Sequence, residues 1–335
     1  MGRIVLVTGV SSDLGGRLAR SLAQDPAVER VIGVDLAPPH RELGGVDFVR
    51  VDIRNPVIAK VVAGQGVDTV VHMSVQPTPD RTGRDGHGPS PAGRSFVKEH
   101  NVIGTMQLLA AAQTAPGLER LVVRSSAAVY GSSSRDPALF TEDMAAKRMP
   151  RSGFGKDVLE VEGYVRGFTR RRPDVAVTML RPADLVGPRI ESPLTDYLRM
   201  PVVPTPLGFD ARLQLLHEDD LLAALRLATH HGVHGTFNLA GDGVLMLSQA
   251  LRRLGRPSIS VPPAALHSLR SMLGPVGVSG PDRELAAYLT FGRGVDTSQA
   301  RRLLGFTPQH TTESAFADFA GSPGRSLADV GATRG

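Results

Sequence analysis

The sequence predicts an α/β protein built on a doubly wound parallel sheet, followed by a smaller C-terminal domain. Near the N-terminus an apolar run, Ile4 to Val7, ends at Gly9 and gives way to an amphipathic helix whose apolar face includes Leu14 and Leu18. Through the first half of the chain, strand patterns then alternate with helical patterns. This alternation is typical of parallel strands joined by crossover helices.

The turn after the first strand has the spacing Gly9-x-x-Ser12-x-x-Gly15, one glycine short of the loop that binds dinucleotides in Rossmann folds. Gly9 permits the tight turn and Gly15 allows the helix to pack closely on the strand, while Ser12 adds a small side chain. The amides at the new helix's N-terminus suit a pyrophosphate, although a tight turn without a ligand has the same pattern. The predicted cofactor contacts of this loop are Gly9, Ser11, Ser12, Asp13, Leu14 and Gly15.

Acidic residues follow the second and third predicted strands. The strand at residues 31–34 is followed by Asp35, about twenty residues past the loop, where a carboxylate accepts hydrogen bonds from the adenosine ribose and repels a 2'-phosphate. The strand at residues 47–51 is followed by Asp52 and Ile53, with Asp52 placed to meet the adenine amino group. Strand-end capping is the alternative for either aspartate. Together with the turn, they predict NAD rather than NADP as the cofactor.

The remaining predicted elements continue the alternation. Strands are expected at residues 68–74, 118–125 and 175–181, and helices at residues 56–63, 96–114 and 154–172. Residues 1–183 are therefore expected to form a Rossmann domain, with later returns to it near residues 213–240. Residues 184–320, where prolines interrupt the pattern, are predicted as mainly a substrate-side domain, and residues 321–335 as a disordered tail.

An insertion rich in glycine, proline and arginine occupies residues 76–94, after the fourth predicted strand. It is too polar and too interrupted for a core element. It follows the carboxyl edge of that strand, where ligands bind in such sheets. A flexible lid over a ligand and a solvent-exposed loop are both compatible with this composition.

Composition narrows the class of protein. The 335 residues are 41% hydrophobic, enough for a large core, and the net charge of +5 comes from arginines scattered among acids, which favours solvated surfaces over nucleic-acid binding. No apolar run reaches the length of a membrane span, and the early first strand leaves no room for a signal peptide. Without cysteine, disulfides are excluded and a cytoplasmic protein is expected. His230, His231 and His234 lack acidic partners at ligand spacing, so no metal site is predicted.

Short motifs occur in a fixed order along nearly the whole chain. They are Thr8-Gly9, Asp35, Asp52-Ile53, Val71-His72, Asn101, Gly104-Thr105, Ser125-Ser126, Val129-Tyr130-Gly131, Thr141-Glu142-Asp143, Leu180-Arg181-Pro182, Gly187-Pro188, Leu216-His217, Asp219-Asp220 and Asp296-Thr297-Ser298. In these motifs the chain resembles the extended short-chain dehydrogenase/reductases, in particular the NAD-dependent epimerase/dehydratases of the actinobacterial UDP-glucose 4-epimerase type. The resemblance implies NAD, a nucleotide-sugar substrate and a homodimer formed through the helices at residues 96–114 and 154–172. It also implies that Met73 and Asn101 contact the cofactor.

The family moves a proton with a tyrosine, which is held as a phenolate by a lysine four residues later on the same helix face and lies beside a serine. Ser126 matches the serine. The better register places Phe154 at the tyrosine and Val158 at the lysine, whereas a rival register places Ser152 and Lys156 there. None of the 4 tyrosines in the chain is followed four residues later by lysine. The family's base is therefore absent in either register.

Other residues near the predicted cleft offer partial replacements. Asp184 stands where enzymes of the family that this chain resembles often carry an asparagine that binds the sugar nucleotide. Leu213 stands where they often carry an arginine that binds the phosphate, and Arg212 is next to it. Asp184 and His217 are candidates for an acid–base pair, and a structural role for each is the alternative.

Three functions stay open at this point. The first is an NAD-binding protein of the epimerase/dehydratase class whose redox mechanism is impaired or replaced. The second is a non-catalytic, NAD-responsive binding or scaffold protein. The third is a non-redox enzyme that reuses the cleft, with Asp184 and His217 as proton-transfer groups.

Overall fold

Strands and helices alternate along the chain, for which a computed structural model describes residues 2–39, 41–77, 91–150, 153–266, 268 and 281–322. The strands are β1 Arg3–Thr8, β2 Val28–Asp35, β3 Val46–Arg50, β4 Thr69–His72, β5 Arg120–Arg124, β6 Ala176–Pro182, β7 Asp184–Val186, β8 Val203–Pro206, β9 Arg212–Leu213, β10 Leu215–His217, β11 Gly235–Leu239, β12 Leu245–Met246 and β13 Ser258–Val261. The helices are α1 Asp13–Ala23, α2 Ile58–Gly64, α3 Pro91–Gln113, α4 Gly153–Arg171, α5 Pro193–Leu198, α6 Glu218–His231, α7 Leu247–Arg253, α8 Pro263–Leu266, α9 Arg283–Phe291 and α10 Thr312–Gly321.

A seven-stranded sheet forms the centre of the fold, in the order β3-β2-β1-β4-β5-β6-β11. All of its neighbouring strands pair in parallel. The strand order reverses between β1 and β4, whose carboxyl ends flank the crevice where doubly wound sheets bind ligands. The predicted doubly wound Rossmann architecture is therefore confirmed.

The segment after residue 183 contributes both to the main sheet and to a separate apolar cluster. Strand β11 pairs with β6 at the sheet edge, and Leu221 and Leu225 of α6 pack in the same cluster as Leu18 of α1. A further cluster contains only residues from Val186 onward, among them Tyr197 and Phe316. The substrate-side domain and its boundary at residue 183 stay predictions.

Two boundaries in the structure differ from those that the sequence predicts. Helix α3 begins at Pro91 rather than at residue 96, so the end of the predicted 76–94 loop is helical; a proline is well tolerated in the first turn because its missing N–H has no partner there. Residues 78–90 of that loop lie outside the described residues. Helix α10 runs to Gly321, which corrects the first residue of the predicted tail, and residues 323–335 also lie outside the described part.

Candidate functional site

The turn after β1 is closed by Ser12, the N-cap of α1. Its Oγ accepts the amide hydrogen of Gly15 at 3.1 Å and donates to the carbonyl oxygen of Gly9 at 2.7 Å. The serine that replaces the middle glycine therefore has its hydroxyl turned into the loop. The amides of Asp13 and Leu14 lie in the first turn of α1, where N–H groups point out of the helix end and stabilise an anion.

Both remaining glycines of the turn are required by its geometry. Gly9 has φ +76°, a conformation that other residues rarely adopt. A Cβ added to Gly15 would overlap the carbonyl oxygen of Gly9 and lie 2.8 Å from its carbonyl carbon. The close contact of helix on strand that the spacing predicts is thus present.

Asp35, at the end of β2, lies against the turn. Its Oδ2 accepts the amide hydrogen of Ser11 at 2.9 Å, and its Oδ1 accepts that of Leu36 at 2.7 Å. A carboxylate oxygen has a second acceptor position, so each can also accept a hydroxyl hydrogen. Ser11 Oγ donates to the carbonyl oxygen of Ala37 at 2.5 Å, which further ties the turn to the chain after β2.

Asp52 has a partner that the sequence analysis did not assign. Arg54 Nε lies 3.0 Å from Asp52 Oδ1 and Arg54 Nη2 lies 2.7 Å from Oδ2, and the side-chain hydrogen bond from Arg54 lowers the pKa of Asp52. The Arg54 guanidinium also covers the ring of Phe96 at 4.7 Å. Ile53 is buried against α3, where a Cβ on Gly104 would lie 2.6 Å from Ile53 Cδ1. An adenine amino group would therefore share Asp52 with Arg54.

Met73 and Asn101 are both buried behind the turn. The amide of Met73 donates to Thr8 Oγ1 at 3.1 Å, next to Gly9. Asn101 Nδ2 donates to the carbonyl oxygen of Gln76 at 2.8 Å, and its Oδ1 accepts the Gln76 amide hydrogen at 3.1 Å. Asn101 therefore fixes the backbone where the chain leaves β4.

The helix predicted to carry the catalytic pair presents an apolar face to the core. Val158, at the lysine position, is fully buried, as are Val161 and Phe168, and Phe154 packs partly exposed against the same cluster. In the rival register Lys156 is partly exposed and its Nζ lies 3.8 Å from Glu160 Oε1, while residue 152 is outside the described residues. Neither register brings a cation to the cleft from the described residues.

Ser126 follows β5 and caps the short 3-10 turn Ala127–Tyr130. Its Oγ accepts the Ala128 amide hydrogen at 3.1 Å, and its side chain is partly exposed. The preceding Ser125 donates to Glu162 Oε1 of α4 at 2.6 Å, so the turn is anchored to α4. Ser126 is thereby held at the carboxyl edge of the sheet, beside the start of α4.

The structure gives Asp184 and His217 separate partners. Asp184 Oδ2 lies 2.9 Å from Arg293 Nη2, whereas His217 Nε2 lies 2.9 Å from Asp318 Oδ2 and its ring stacks on His310 at 3.9 Å. The two residues lie on paired strands, β7 and β10, in which Asp184 is opposite Leu215. No direct bond joins them within the described chain, so their acid–base role stays a prediction.

Three residues that the sequence analysis did not identify lie on α9 or directly after it, near the start of α4: Glu284, Tyr288 and Arg293. Arg293 pairs in a short bridge with Leu213, the position where the resemblance expects an arginine, and its Nη1 donates to the carbonyl oxygen of Gly131 at 3.2 Å. Its guanidinium carbon lies 4.9 Å from the centre of the Tyr288 ring. The contacts of Arg293 with Leu213 and Gly131 join residues far apart in the sequence, so no local spacing indicates them.

The described residues contain neither a metal-binding cluster nor a membrane-spanning helix. No group of three or more His, Asp or Glu side chains there is arranged to hold a metal ion. None of the helices within the described ranges is long and apolar enough to cross a bilayer.

Comparison with protein-family models gives one match over most of the chain: residues 5–240 match the model described as the NAD dependent epimerase/dehydratase family. An uncharacterized protein of Mycobacterium tuberculosis (strain ATCC 25618 / H37Rv) is 48% identical over 321 residues, 95% of this chain and 83% of the relative. UDP-glucose 4-epimerase 2 of Oryza sativa subsp. japonica is 31% identical over 201 residues, which cover 55% of this chain and 45% of that protein.

Solved structures share the fold at low sequence identity. The UDP-glucose 4-epimerase of Thermotoga maritima, solved with UDP-glucose, has a TM-score of 0.70 at 18% identity and covers 95% of this chain and 97% of its own. MoeE5, solved in complex with UDP-glucuronic acid and NAD, has a TM-score of 0.69 at 21% identity, with coverage of 95% and 98%. At these identities the likeness is one of fold.

Proposed function

Because this chain belongs to the NAD dependent epimerase/dehydratase family, we propose that it binds NAD and acts on a nucleotide-sugar without the family's tyrosine–lysine pair. The observation that carries the proposal is the contrast between two parts of one cleft. The turn from Gly9 to Gly15 is held against Asp35, as an adenosine site requires. The face of α4 that would carry the pair is apolar, with Val158 fully buried.

The described residues fit the adenosine half of NAD. The first-turn amides of Asp13 and Leu14 would hold the pyrophosphate, and Asp35 would accept the ribose hydroxyls. When bound, the nicotinamide supplies reversible hydride acceptance. On the other half of the site, Ser126 would orient a substrate hydroxyl, and Phe154 would keep an aromatic surface without a transferable proton.

The nucleotide-sugar part of the proposal is supported by relatives of the same fold. MoeE5 has been solved with UDP-glucose and NAD together. In this chain, however, the Leu213 position is apolar and Arg293 is already paired with Asp184. A diphosphate would have to compete with that carboxylate, so we expect weak binding of UDP-sugars relative to NAD.

The proposal is tested with purified protein, NAD, and a panel containing UDP-glucose, UDP-glucuronic acid and dTDP-glucose. NAD binding followed by formation of an epimerised, oxidised or dehydrated sugar supports it. Turnover that the Ser126→Ala variant retains in full would remove Ser126 from the reaction. Failure of the protein to bind NAD would contradict the whole proposal.

A second candidate function is non-catalytic, NAD-responsive binding, and the burial of Val158 favours it. Valine has no titratable group, and at this fully buried position it supplies no cation that could hold a phenolate or a cofactor ribose. This alternative predicts saturable NAD binding, abolished in Gly9→Val, with no product from any sugar nucleotide of the panel. A measured turnover would rule it out.

Replacing Asp35 by asparagine is expected to lower NAD affinity on the order of 10- to 100-fold and to weaken discrimination against NADP. The carboxylate would supply charged acceptors to the ribose hydroxyls, and a hydrogen bond to a charged group contributes about 1.5–3 kcal/mol. Calorimetric titration with NAD and NADP measures both constants. Asp47→Asn is the matched control, because Asp47 follows on the next strand in an exposed pair with Arg30. An unchanged NAD/NADP ratio in Asp35→Asn would contradict the assignment.

We also propose a homodimer formed through α3 and α4. The two helices pack side by side, and Ile103, Met106 and Tyr164 leave large apolar side chains exposed on them. Ile103 and Met106 are three residues apart and so share one face of α3, and contiguous exposed apolar surface is typical of association sites. Sedimentation velocity is expected to give a dimer, and Ile103→Glu combined with Met106→Glu to give a monomer. Val244→Glu, at an exposed apolar position in a different part of the chain, is the control and should leave the dimer intact.

A further inference from the structure

Helix α9 carries a carboxylate to the N-terminus of α4. Glu284 accepts the amide hydrogen of Gly155 at both oxygens, with Oε1 at 3.0 Å and Oε2 at 3.1 Å. Gly155 directly follows Phe154, the residue at the tyrosine position. A group that can bind a proton therefore reaches the backbone beside the position from which the tyrosine is missing.

The two glycines around Phe154 make room for this carboxylate. A Cβ on Gly153 would overlap Glu284 Oε2, and a Cβ on Gly155 would lie 2.9 Å from Oε1. The same Cβ would lie 2.7 Å from the carbonyl oxygen of Ala128, whose amide is bound by Ser126. Glu284 Oε1 and the Ala128 carbonyl oxygen thus both lie beside Gly155, where the start of α4 meets the turn that Ser126 caps, and Glu284 is partly exposed.

The surroundings of Glu284 raise the pKa of its carboxyl group. Burial raises its pKa to about 7, against the hydrogen bond from Gly155, and the carboxylates of Asp282 and Asp184 act in the same direction as burial. Arg293 lowers the pKa of Glu284 but is itself paired with Asp184 at 2.9 Å. Tyr288, one turn along α9, is buried, and burial raises its pKa well above the ordinary value; Asp184 acts in the same direction and Arg293 opposes it. The proton of Glu284 therefore exchanges near neutral pH.

We propose that Glu284 is the proton acceptor and donor of this cleft, in place of the absent tyrosine; this inference rests on the proposed function. As a substrate carbinol is oxidised, its O–H bond breaks and the proton passes to a carboxylate oxygen of Glu284. In the same step its C–H bond breaks, the hydride goes to NAD, and a carbonyl group remains. Reduction from either face returns the hydride to carbon and the proton from Glu284 to oxygen.

A purely structural role would make Glu284 only a cap of α4. A glutamine amide oxygen also accepts the Gly155 amide hydrogen, so Glu284→Gln keeps the cap and removes the exchangeable proton. Proton transfer by a positioned side chain contributes about 100- to 10,000-fold to rate. We therefore expect Glu284→Gln to bind NAD as the wild type does and to form NADH from UDP-glucose or UDP-glucuronic acid at least ~100-fold more slowly. Glu284→Asp should keep part of the rate.

A readout independent of turnover follows the carboxylate directly. In protein labelled with ¹⁵N-glycine, the Gly155 amide shift is expected to titrate with a midpoint near pH 7 in the wild type, the pKa of Glu284, and not in Glu284→Gln. The folded-state pKa lies above the ordinary 4.5, so Glu284 favours folding below pH 4.5 and loses that contribution as pH rises through about 7. The stability of the wild type relative to Glu284→Gln should therefore fall across this interval.

The outcomes separate the inference from the function on which it rests. NADH formation that Glu284→Gln leaves unchanged, or a Gly155 amide that does not titrate near neutral pH, would overturn the role of Glu284 alone. Absence of NAD binding in both wild type and variant would overturn the proposed function, and the inference with it. Slow turnover in the variant, together with the lost titration, supports both.

Discussion

Replacing Gly15 by alanine is expected to lower NAD affinity on the order of 10- to 100-fold and to reduce the free energy of unfolding by about 1–3 kcal/mol. The added Cβ would overlap the Gly9 carbonyl oxygen, which is backbone and cannot rotate away as a side chain would. Either α1 must move away from β1 or the turn must open. Both displace the amides at the start of α1 from a pyrophosphate.

Gly163→Ala supplies the matched control for this effect. Gly163 lies within α4, and an added Cβ there meets no atom within 4 Å. Alanine is the better helix residue by about 0.5–1 kcal/mol, so this variant should be slightly more stable and bind NAD unchanged. Urea unfolding and calorimetric titration of NAD measure the two quantities. If Gly15→Ala bound NAD as tightly as Gly163→Ala, the turn would not be the pyrophosphate site.

The first strand, turn and helix could be predicted from the sequence because their determinants are local. The apolar run, the glycine spacing and the apolar face of α1 all fall within a short stretch, and the parallel pairing of the strands then follows from their alternation with helices. Asp35 could be predicted in the same way, because it directly follows the apolar run of β2, the strand that pairs with β1. In these elements the predicted and the observed backbone agree, and their contacts with a cofactor stay predictions.

The hydrogen-bond partners of the Asp52 and Glu284 carboxylates could not be predicted in the same way. Asp52 forms an ion pair with Arg54, only two residues later. A partly exposed arginine can adopt many conformers, however, and the one seen here also places the guanidinium over the Phe96 ring of α3. Glu284 reaches Gly155 across 129 residues of sequence, through packing of α9 on α4. Periodicity and motif spacing carry no information on such contacts, because they are fixed by tertiary packing.

Glu162 is the residue whose loss is expected to destabilise the fold most. It is fully buried in α4, and its Oε2 lies 2.7 Å from Nη2 of Arg181, which is itself nearly buried on β6. Its Oε1 accepts hydrogen bonds from Arg181 Nε at 2.8 Å and from Ser125 Oγ at 2.6 Å. Arg181 in turn donates to the Tyr130 hydroxyl at 2.7 Å, so one network joins α4, β5, β6 and the turn after Ser126.

Glu162→Ala is therefore expected to lower the free energy of unfolding by about 3–5 kcal/mol, since it leaves a buried guanidinium without its counter-charge. Glu160→Ala is the control on the same helix: Glu160 pairs with Lys156 near the surface at 3.8 Å, and its loss should cost less than about 0.5 kcal/mol. Urea unfolding at neutral pH compares the two. Equal stabilities would mean that the Arg181 charge finds water or another partner, and that the network does not hold the Ser126 turn in place. A large difference would show that the buried network, and not the pair near the surface, holds α4 against β6.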